Sequence, residues 1–91
     1  MEYKYSNEKI WLEDENGKEI AYVEFPEKEE NIVDIQHTVV DDSLRGKGIA
    51  GELMKNAAEY LKKNNKKAIP SCSYAKKWFS SNEEYKDLIA E

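Results

Sequence analysis

The chain changes character within one stretch, Val39-Val40-Asp41-Asp42-Ser43-Leu44-Arg45-Gly46-Lys47-Gly48-Ile49-Ala50-Gly51. Before it, apolar and polar residues alternate, which is typical of strands with one buried face. After it, apolar residues return every three or four positions, which is typical of an amphipathic helix. The stretch therefore predicts a junction between a strand and a helix.

Candidate elements extend from this junction in both directions. Towards the N-terminus, closely spaced runs predict an antiparallel meander, with strands at Glu2–Tyr5, Ile10–Glu13, Ile20–Phe25 and Ile32–Val40 and a charged turn over 26–31. Towards the C-terminus, the pattern predicts a helix over Gly46–Asn64, a strand near Lys67–Pro70, and short helices over Ser73–Ser80 and Asn82–Ile89. The predicted fold class is α+β: a mostly antiparallel sheet, a central helix packed on it, and short C-terminal helices. We call the residues of the junction between the last strand and the central helix, 41–48, the glycine loop.

Length and charge limit the function classes. The 91 residues, 40% of them hydrophobic, predict a single domain over 1–91. A net charge of −5 disfavours nucleic-acid binding, because it repels phosphate backbones. No apolar run approaches the roughly 18 residues of a membrane helix, and no signal peptide is recognisable. With one cysteine and one histidine, we expect no internal disulfide, no metal site, a cytoplasmic location, and a monomer or weak dimer.

The glycines of the junction favour an anion site. Small residues let a ligand approach the backbone closely, and the first N–H groups of a helix attract anions. Arg45 and Lys47 add two cations there, so the loop suits a phosphate or pyrophosphate. It is neither a P-loop nor a dinucleotide fingerprint, because the residues that those motifs require do not follow at the right spacing. Glycines near helix ends also occur for structural reasons alone.

One motif makes the interpretation of the loop specific. The residues Arg45-x-x-Gly48-x-Ala50 match Arg/Gln-x-x-Gly-x-Gly/Ala, the motif of the GNAT acyltransferase superfamily. From Ile32 to Ile89 the chain resembles a subgroup of very small GNAT-like proteins. The matching segments include His37-Thr38, Pro70-Ser71-Cys72-Ser73-Tyr74 and Glu84-Tyr85-x-Asp87-Leu88.

This resemblance implies a GNAT-like fold that binds coenzyme A (CoA) and uses acetyl-CoA as co-substrate. It implies that backbone amides of the loop bind the CoA pyrophosphate. It also implies that the preceding strand binds the pantetheine arm and the acetyl carbonyl. The residues concerned are Thr38, Val39, Val40, Arg45, Gly46, Lys47, Gly48, Ile49 and Ala50.

The acceptor half departs from the family pattern. GNAT enzymes are longer and place two helices between their first strands, whereas residues 2–40 leave no room for them. The resemblance therefore implies an acyltransferase with a reduced acceptor site, acting on an unidentified amine or protein. A second hypothesis is an inactive CoA-binding or protein-interaction module of the same fold. A third, a KH-like RNA-binding module, rests on Gly48-Ile49-Ala50-Gly51, but a strand enters the loop where KH modules have a helix.

His37 is the first candidate catalytic residue. If residues 32–40 form one strand, its side chain shares a face with Val33, Ile35 and Val39. A lone histidine on an apolar face is more often a core residue than a catalyst. Because histidine titrates near neutral pH, the functional hypothesis is a general base.

Cys72 is the second candidate. It precedes a predicted helix, whose N-terminus can stabilise a thiolate, although a buried free cysteine is usually inert. By the GNAT resemblance its strand and the His37 strand flank one cleft. Either His37 is the base and Cys72 lines the site, or Cys72 carries the acetyl group transiently, activated by its helix or by His37.

Other side chains have a structural interpretation beside a functional one. The aromatic residues near the C-terminus are predicted to be core or cleft-lining: Tyr74, Trp78, Phe79 and Tyr85. Lys76 and Lys77 are predicted to be solvated, with contact to the ribose phosphate of CoA as the alternative.

Overall fold

The computed structural model describes residues 2–90 and has the predicted strand-to-helix order. Strands β1 to β6 precede the glycine loop, at Tyr3–Tyr5, Lys9–Glu13, Glu19–Glu24, Glu27–Glu29, Ile32–Ile35 and His37–Val40. Helix α1 (Ile49–Lys63), strand β7 (Lys67–Pro70) and helix α2 (Ser73–Ser81) follow the loop, and 3-10 turns occupy Asp42–Leu44 and Glu83–Leu88. The α+β fold class is therefore confirmed.

The strands form two sheets rather than the single sheet predicted. Four strands make an antiparallel sheet in the order β1-β2-β3-β6, and three make a second sheet in the order β4-β5-β7. Strands β5 and β7 are parallel, since α1 crosses between the sheets before the chain returns. The segment Glu27–Glu29, predicted as part of a turn, is an edge strand whose residues are all exposed.

The prediction of one strand over Ile32–Val40 is wrong, because the chain bulges at Gln36. Glu24 pairs with His37, and the Glu24 carbonyl also accepts from the Gln36 amide at 3.0 Å. Two residues of one strand thus face one residue of β3, which is the definition of a β-bulge. The bulge moves the chain from the second sheet to the first.

This bulge also reverses which side chains face the core. Val33 and Ile35 are fully buried, but beyond the bulge the partly buried positions are Thr38 and Val40. His37 and Val39 are exposed. The expectation that His37 and Val39 share a face with Val33 and Ile35 is therefore wrong, because one extra residue shifts a period-2 pattern to the other face.

Helix α1 closes the core against the four-stranded sheet. It begins at Ile49, three residues later than predicted, and Asn64 caps its C-terminus. Its apolar face is fully buried through Leu53, Met54, Ala57, Ala58 and Leu61. Truncating such a leucine to alanine removes about 2–5 kcal/mol of stability. Among residues 2–90 no helix has the length and apolarity needed to cross a membrane.

The C-terminal aromatics complete the core beneath α2. Phe79 and Tyr85 are buried, and the Trp78 ring packs 5.1 Å and 5.4 Å from theirs. The Tyr85 hydroxyl donates to the Glu59 carboxylate, and this hydrogen bond raises the pKa of Tyr85 to about 12. The prediction of core or cleft-lining positions is confirmed, because these residues belong to the core while Tyr74, 37% exposed, lines a groove described below. The predicted helix over Asn82–Ile89 is a 3-10 turn.

Candidate functional site

The two sheets separate at a fork between β6 and β7. Strands β5 and β7 run in parallel up to Ile35, whose carbonyl accepts from the Ser71 amide at 3.1 Å and the Cys72 amide at 3.0 Å. Beyond this point β6 pairs with β3 in the other sheet. We call the opening between β6 and the end of β7 the fork.

Strand β6 presents an open backbone edge to the fork. The Asp41 amide donates to the Ile20 carbonyl at 2.8 Å, and Val39 pairs with Tyr22. In an antiparallel ladder the hydrogen-bonded positions alternate, so the N–H and C=O groups of Thr38 and Val40 point away from β3. These two residues, rather than Val39, have the free backbone groups that the sequence prediction required.

The glycine loop leads into a helix start with unused amides. Gly46 and Gly48 have φ of 81° and 73°, left-handed conformations that favour glycine. The first bond of α1 runs from the Glu52 amide to the Gly48 carbonyl, at 3.1 Å. The amides of Ile49, Ala50 and Gly51 come before that bond, so they have no helical carbonyl to donate to. Three N–H groups at the positive end of the helix dipole are available to an anion.

A groove of about 240 Å³ joins this helix start to β6. It is lined by Val40, Leu44, Arg45, Gly46, Gly48, Ile49, Ala50, Gly51 and Tyr74. Most of the predicted CoA residues therefore come together here, while Thr38, Val39 and Lys47 do not line this part. A larger hollow of about 470 Å³ is walled by Ser6, Asn7, Glu8, Glu27 and Lys66, and its two carboxylates make it unsuitable for phosphates.

The carboxylates of the loop are engaged by neighbouring donors. Asp41 accepts from the Ser43 amide at 3.0 Å and the Ser43 hydroxyl at 2.6 Å, and these hydrogen bonds hold the pKa of Asp41 below its ordinary value. Asp42 lies 3.0 Å from Arg45 Nε in a pair exposed to solvent. Exposed pairs of this kind contribute little, so an incoming phosphate can compete for Arg45. Lys76 and Lys77 are exposed on α2, and neither lines the groove.

Cys72 lies at the apex of the fork. It caps the N-terminus of α2, and its half-buried Sγ accepts from the Ala75 amide at 3.3 Å. The same sulfur is 3.7 Å from Thr38 Oγ1, across the fork. The cysteine therefore contacts the strand that carries the free backbone edge.

The structure does not bring His37 and Cys72 together. His37 precedes Thr38 on β6, and adjacent side chains of a strand point to opposite faces. Because Thr38 contacts Cys72, the exposed His37 lies on the other face, where it pairs across the sheet with Glu24. The catalytic roles of His37 and Cys72 stay predictions.

A polar network on that other face was missed by the sequence analysis. Asp34 accepts from the Ser71 hydroxyl and, at 3.2 Å, from the Gln36 side-chain amide. The Ser71 hydrogen bond is the main reason that the pKa of Asp34 lies below its ordinary value. The polar alternation of Asp34 and Gln36 was visible in the sequence, but not its connection to Ser71. Within residues 2–90 no group of three or more acidic, His or Cys side chains is arranged to hold a metal ion.

Comparison with solved structures identifies the same architecture. A GCN5-like protein from Staphylococcus aureus, solved by NMR, is 33% identical, with a TM-score of 0.78 over 98% of this chain and 87% of that one. A GNAT-family N-acetyltransferase from Escherichia coli, YhbS, crystallised with CoA, has a TM-score of 0.56 over 64% of this chain and 35% of that one. At 24% identity, the second likeness concerns the fold alone.

Comparison with curated sequences and family models agrees. The human and mouse proteins named NATD1 are each 43% identical over 51 residues, which is 56% of this chain. The chain covers 46% of the mouse protein and 45% of the human one, so it matches a little under half of their length. The family model described as GCN5-related N-acetyltransferase matches residues 8–88. With its glycine loop, fork and two-sheet topology, the chain belongs to the GCN5-related N-acetyltransferase family.

Proposed function

We propose that this protein binds acetyl-CoA and transfers its acetyl group to an amine. The observation that carries the proposal is the helix start of α1, where three amides without helical acceptors adjoin the open edge of β6. Anions bind where helix amides are unpaired, and an extended chain can bond to an unpaired strand edge. CoA combines both features, a pyrophosphate and an extended pantetheine arm. The CoA complex of YhbS supports the choice of this ligand.

In this arrangement the coenzyme lies along the groove with its thioester in the fork. The amides of Ile49, Ala50 and Gly51 bind the pyrophosphate, and the Val40 backbone bonds to the pantetheine arm. The Thr38 amide then donates to the acetyl carbonyl. A donor fixed at that oxygen stabilises the negative charge that develops when a nucleophile attacks.

The proposed reaction is a direct transfer. The amine nitrogen attacks the thioester carbon, the C–S bond breaks, and CoA leaves as a thiolate. The proton lost by the amine passes to a base and finally to the CoA sulfur. His37 is the proposed base, reached from the open outer face of the four-stranded sheet, and Cys72 lines the acyl site from the other side.

A covalent route through Cys72 is the alternative. It requires a base for the thiol, and within residues 2–90 the hydrogen-bond partners of Cys72 Sγ are Ala75 and Thr38 rather than His37. This geometry favours direct transfer. An inactive CoA-binding module is the second candidate function, favoured by the absence of room for acceptor-site helices within residues 2–40.

The test has two stages. Calorimetry with CoA and acetyl-CoA is expected to give saturable binding, and labelled acetyl-CoA with a panel of amines and protein N-termini is expected to give acetylated product. Absence of CoA binding by the folded protein contradicts the proposal. Binding without transfer to any acceptor favours the inactive module.

Mass spectrometry separates the two routes. After incubation with acetyl-CoA alone, direct transfer leaves Cys72 unmodified, whereas the covalent route leaves one acetyl group on it. His37→Ala is expected to reduce transfer without changing CoA affinity. Full transfer by both His37→Ala and Cys72→Ala would show that the two residues are structural.

A further inference from the structure

A pair of side chains, which we call the corner, lies just beyond the fork end of the groove. Val40 lines the groove, and Thr38, which does not, lies two residues away on the same face of β6. On the opposite side Tyr74 lines the groove, and Cys72 lies two residues before it in the chain; Thr38 Oγ1 and Cys72 Sγ meet at 3.7 Å. Behind the contact lies Ile35, fully buried, whose carbonyl holds the amides at the end of β7. A ligand that extends past the groove along β6 therefore meets this corner.

We propose that Thr38 and Cys72 limit the acyl group to acetyl, so that they determine the acyl-chain specificity of the protein. The inference rests on the proposed function, which seats the thioester carbonyl at the Thr38 amide. From that position the two-carbon acyl group reaches the corner with its methyl. Each further methylene of a longer acyl chain must displace a side chain of the corner.

Each of the two side chains is held by its surroundings. Thr38 belongs to a strand paired on its inner edge with Val23, a fully buried residue of β3. Cys72 is fixed as the helix cap through its bond to the Ala75 amide, 3.3 Å away. Both side chains are partly buried, so an added methylene is resisted chiefly because moving either side chain disturbs these contacts and forces it from its rotamer.

A contact at the base of the fork, between β5 and the end of β7, supplies a control. The Ser71 hydroxyl donates to Asp34 on the opposite face of the strands, one residue before Cys72. Ser71→Ala therefore removes a contact that holds the same end of β7, here to β5 rather than to β6, without changing Thr38 or Cys72. If rigidity of the fork alone set acyl-chain specificity, Thr38→Ala and Ser71→Ala would both change it. If the volume of the Thr38 side chain sets it, only Thr38→Ala changes it.

The experiment measures affinity for CoA, acetyl-CoA, propionyl-CoA and butyryl-CoA by calorimetry. Wild type is expected to bind butyryl-CoA at least about tenfold more weakly than acetyl-CoA, the usual discrimination of a tight apolar pocket against extra methylenes. Thr38→Ala, which keeps the backbone amide, is expected to bring the propionyl and acetyl affinities within about twofold. Thr38→Val, which keeps the volume but removes the hydroxyl, and Ser71→Ala are expected to retain the wild-type preference.

Each outcome bears on one proposal. If wild type binds all four ligands equally, the proposal that Thr38 and Cys72 set acyl-chain specificity is wrong, although CoA binding stands. Absence of CoA binding contradicts the proposed function itself. The same proposal is wrong if Thr38→Ala keeps the wild-type preference for acetyl-CoA. It is also wrong if Ser71→Ala loses as much of that preference as Thr38→Ala does. Should Thr38→Ala not fold, Thr38→Ser removes only the methyl and is expected to admit propionyl-CoA in part. Its failure to do so counts against the proposal.

Discussion

Two turns of this protein use the same backbone conformation to different ends. The hairpin turn between β2 and β3 has Gly17 at φ 82°, and the loop before α1 has Gly48 at φ 73°. A Cβ added at either glycine would meet nothing within 4 Å. The difference lies in what happens to the neighbouring N–H groups.

The hairpin turn uses its own amides. Asp14 Oδ1 accepts from Asn16 at 2.9 Å and Lys18 at 3.0 Å, while the Gly17 amide donates to the Asp14 carbonyl at 3.0 Å. The loop instead precedes a helix whose first amides have no helical acceptor, and Gly48 caps it without a side-chain hydrogen bond. A glycine turn becomes a candidate binding site when its donors are left available, and not because it contains glycine.

The largest expected difference between the two turns is in coenzyme affinity. Gly48→Ala and Gly17→Ala each place alanine in a left-handed conformation, so each is expected to lower the free energy of unfolding by about 1–2 kcal/mol. Gly48→Ala is also expected to weaken CoA binding about tenfold or more, because the loop must change shape where the pyrophosphate approaches. Urea denaturation and calorimetry test both effects. Equal loss of CoA affinity in the two variants would contradict the comparison.

Asp14→Ala tests whether the hairpin turn contributes to stability without contributing to CoA binding. Removing the carboxylate leaves two amides without their acceptor and is expected to cost about 1–2 kcal/mol of stability. The rise in Tm produced by saturating CoA should be the same as in wild type, because ligand stabilisation depends on the intact loop. A variant that lost the CoA-induced rise would show that the hairpin contributes to binding.

A smaller effect is expected from the cations of the two turns. Arg45→Ala is expected to weaken CoA binding by about threefold, since backbone amides supply most of the interaction and exposed charges contribute little. Lys18→Ala, in the hairpin turn, is the matched control and should leave affinity unchanged. Titrations at low and high salt distinguish the variants, because only the Arg45 contribution should disappear with screening. A change of tenfold or more in Arg45→Ala would mean that its side chain dominates.

The smallest expected effect is the acid sensitivity of the loop. Folding lowers the pKa of Asp41 through its hydrogen bonds from Ser43, so Asp41 stabilises the fold above its unfolded pKa, near 4. That contribution is lost as the pH falls through the lower pKa of the folded state. Asp41→Asn should therefore flatten the fall of Tm below pH 4 by a degree or two. If Tm falls identically below pH 4 in wild type and Asp41→Asn, the Asp41 carboxylate does not stabilise the fold.

Local pattern was sufficient for the loop and for the order of most elements. Positive φ and the free amides at the start of α1 follow from Gly48 and the residues beside it, so the candidate anion site could be located from a short stretch. The helical period of Leu53, Ala57 and Leu61 likewise predicted the buried face of α1. Gly46 and Gly48 have positive φ, which an α-helix does not accommodate, so α1 starts at Ile49 and not at Gly46 as predicted.

The fork could not be predicted in the same way, because it depends on which strands meet. Gln36 forms a bulge only because it and His37 both lie opposite Glu24 of β3. The pairing of β5 with β7 ends at Ile35, whose carbonyl accepts from the amides of Ser71 and Cys72. A single residue of register reverses every side chain beyond it. Sequence by itself placed Thr38 on the strand that leads into the glycine loop and Cys72 directly before a short helix. Tertiary pairing decided that Thr38 faces the thiol and His37 the opposite side.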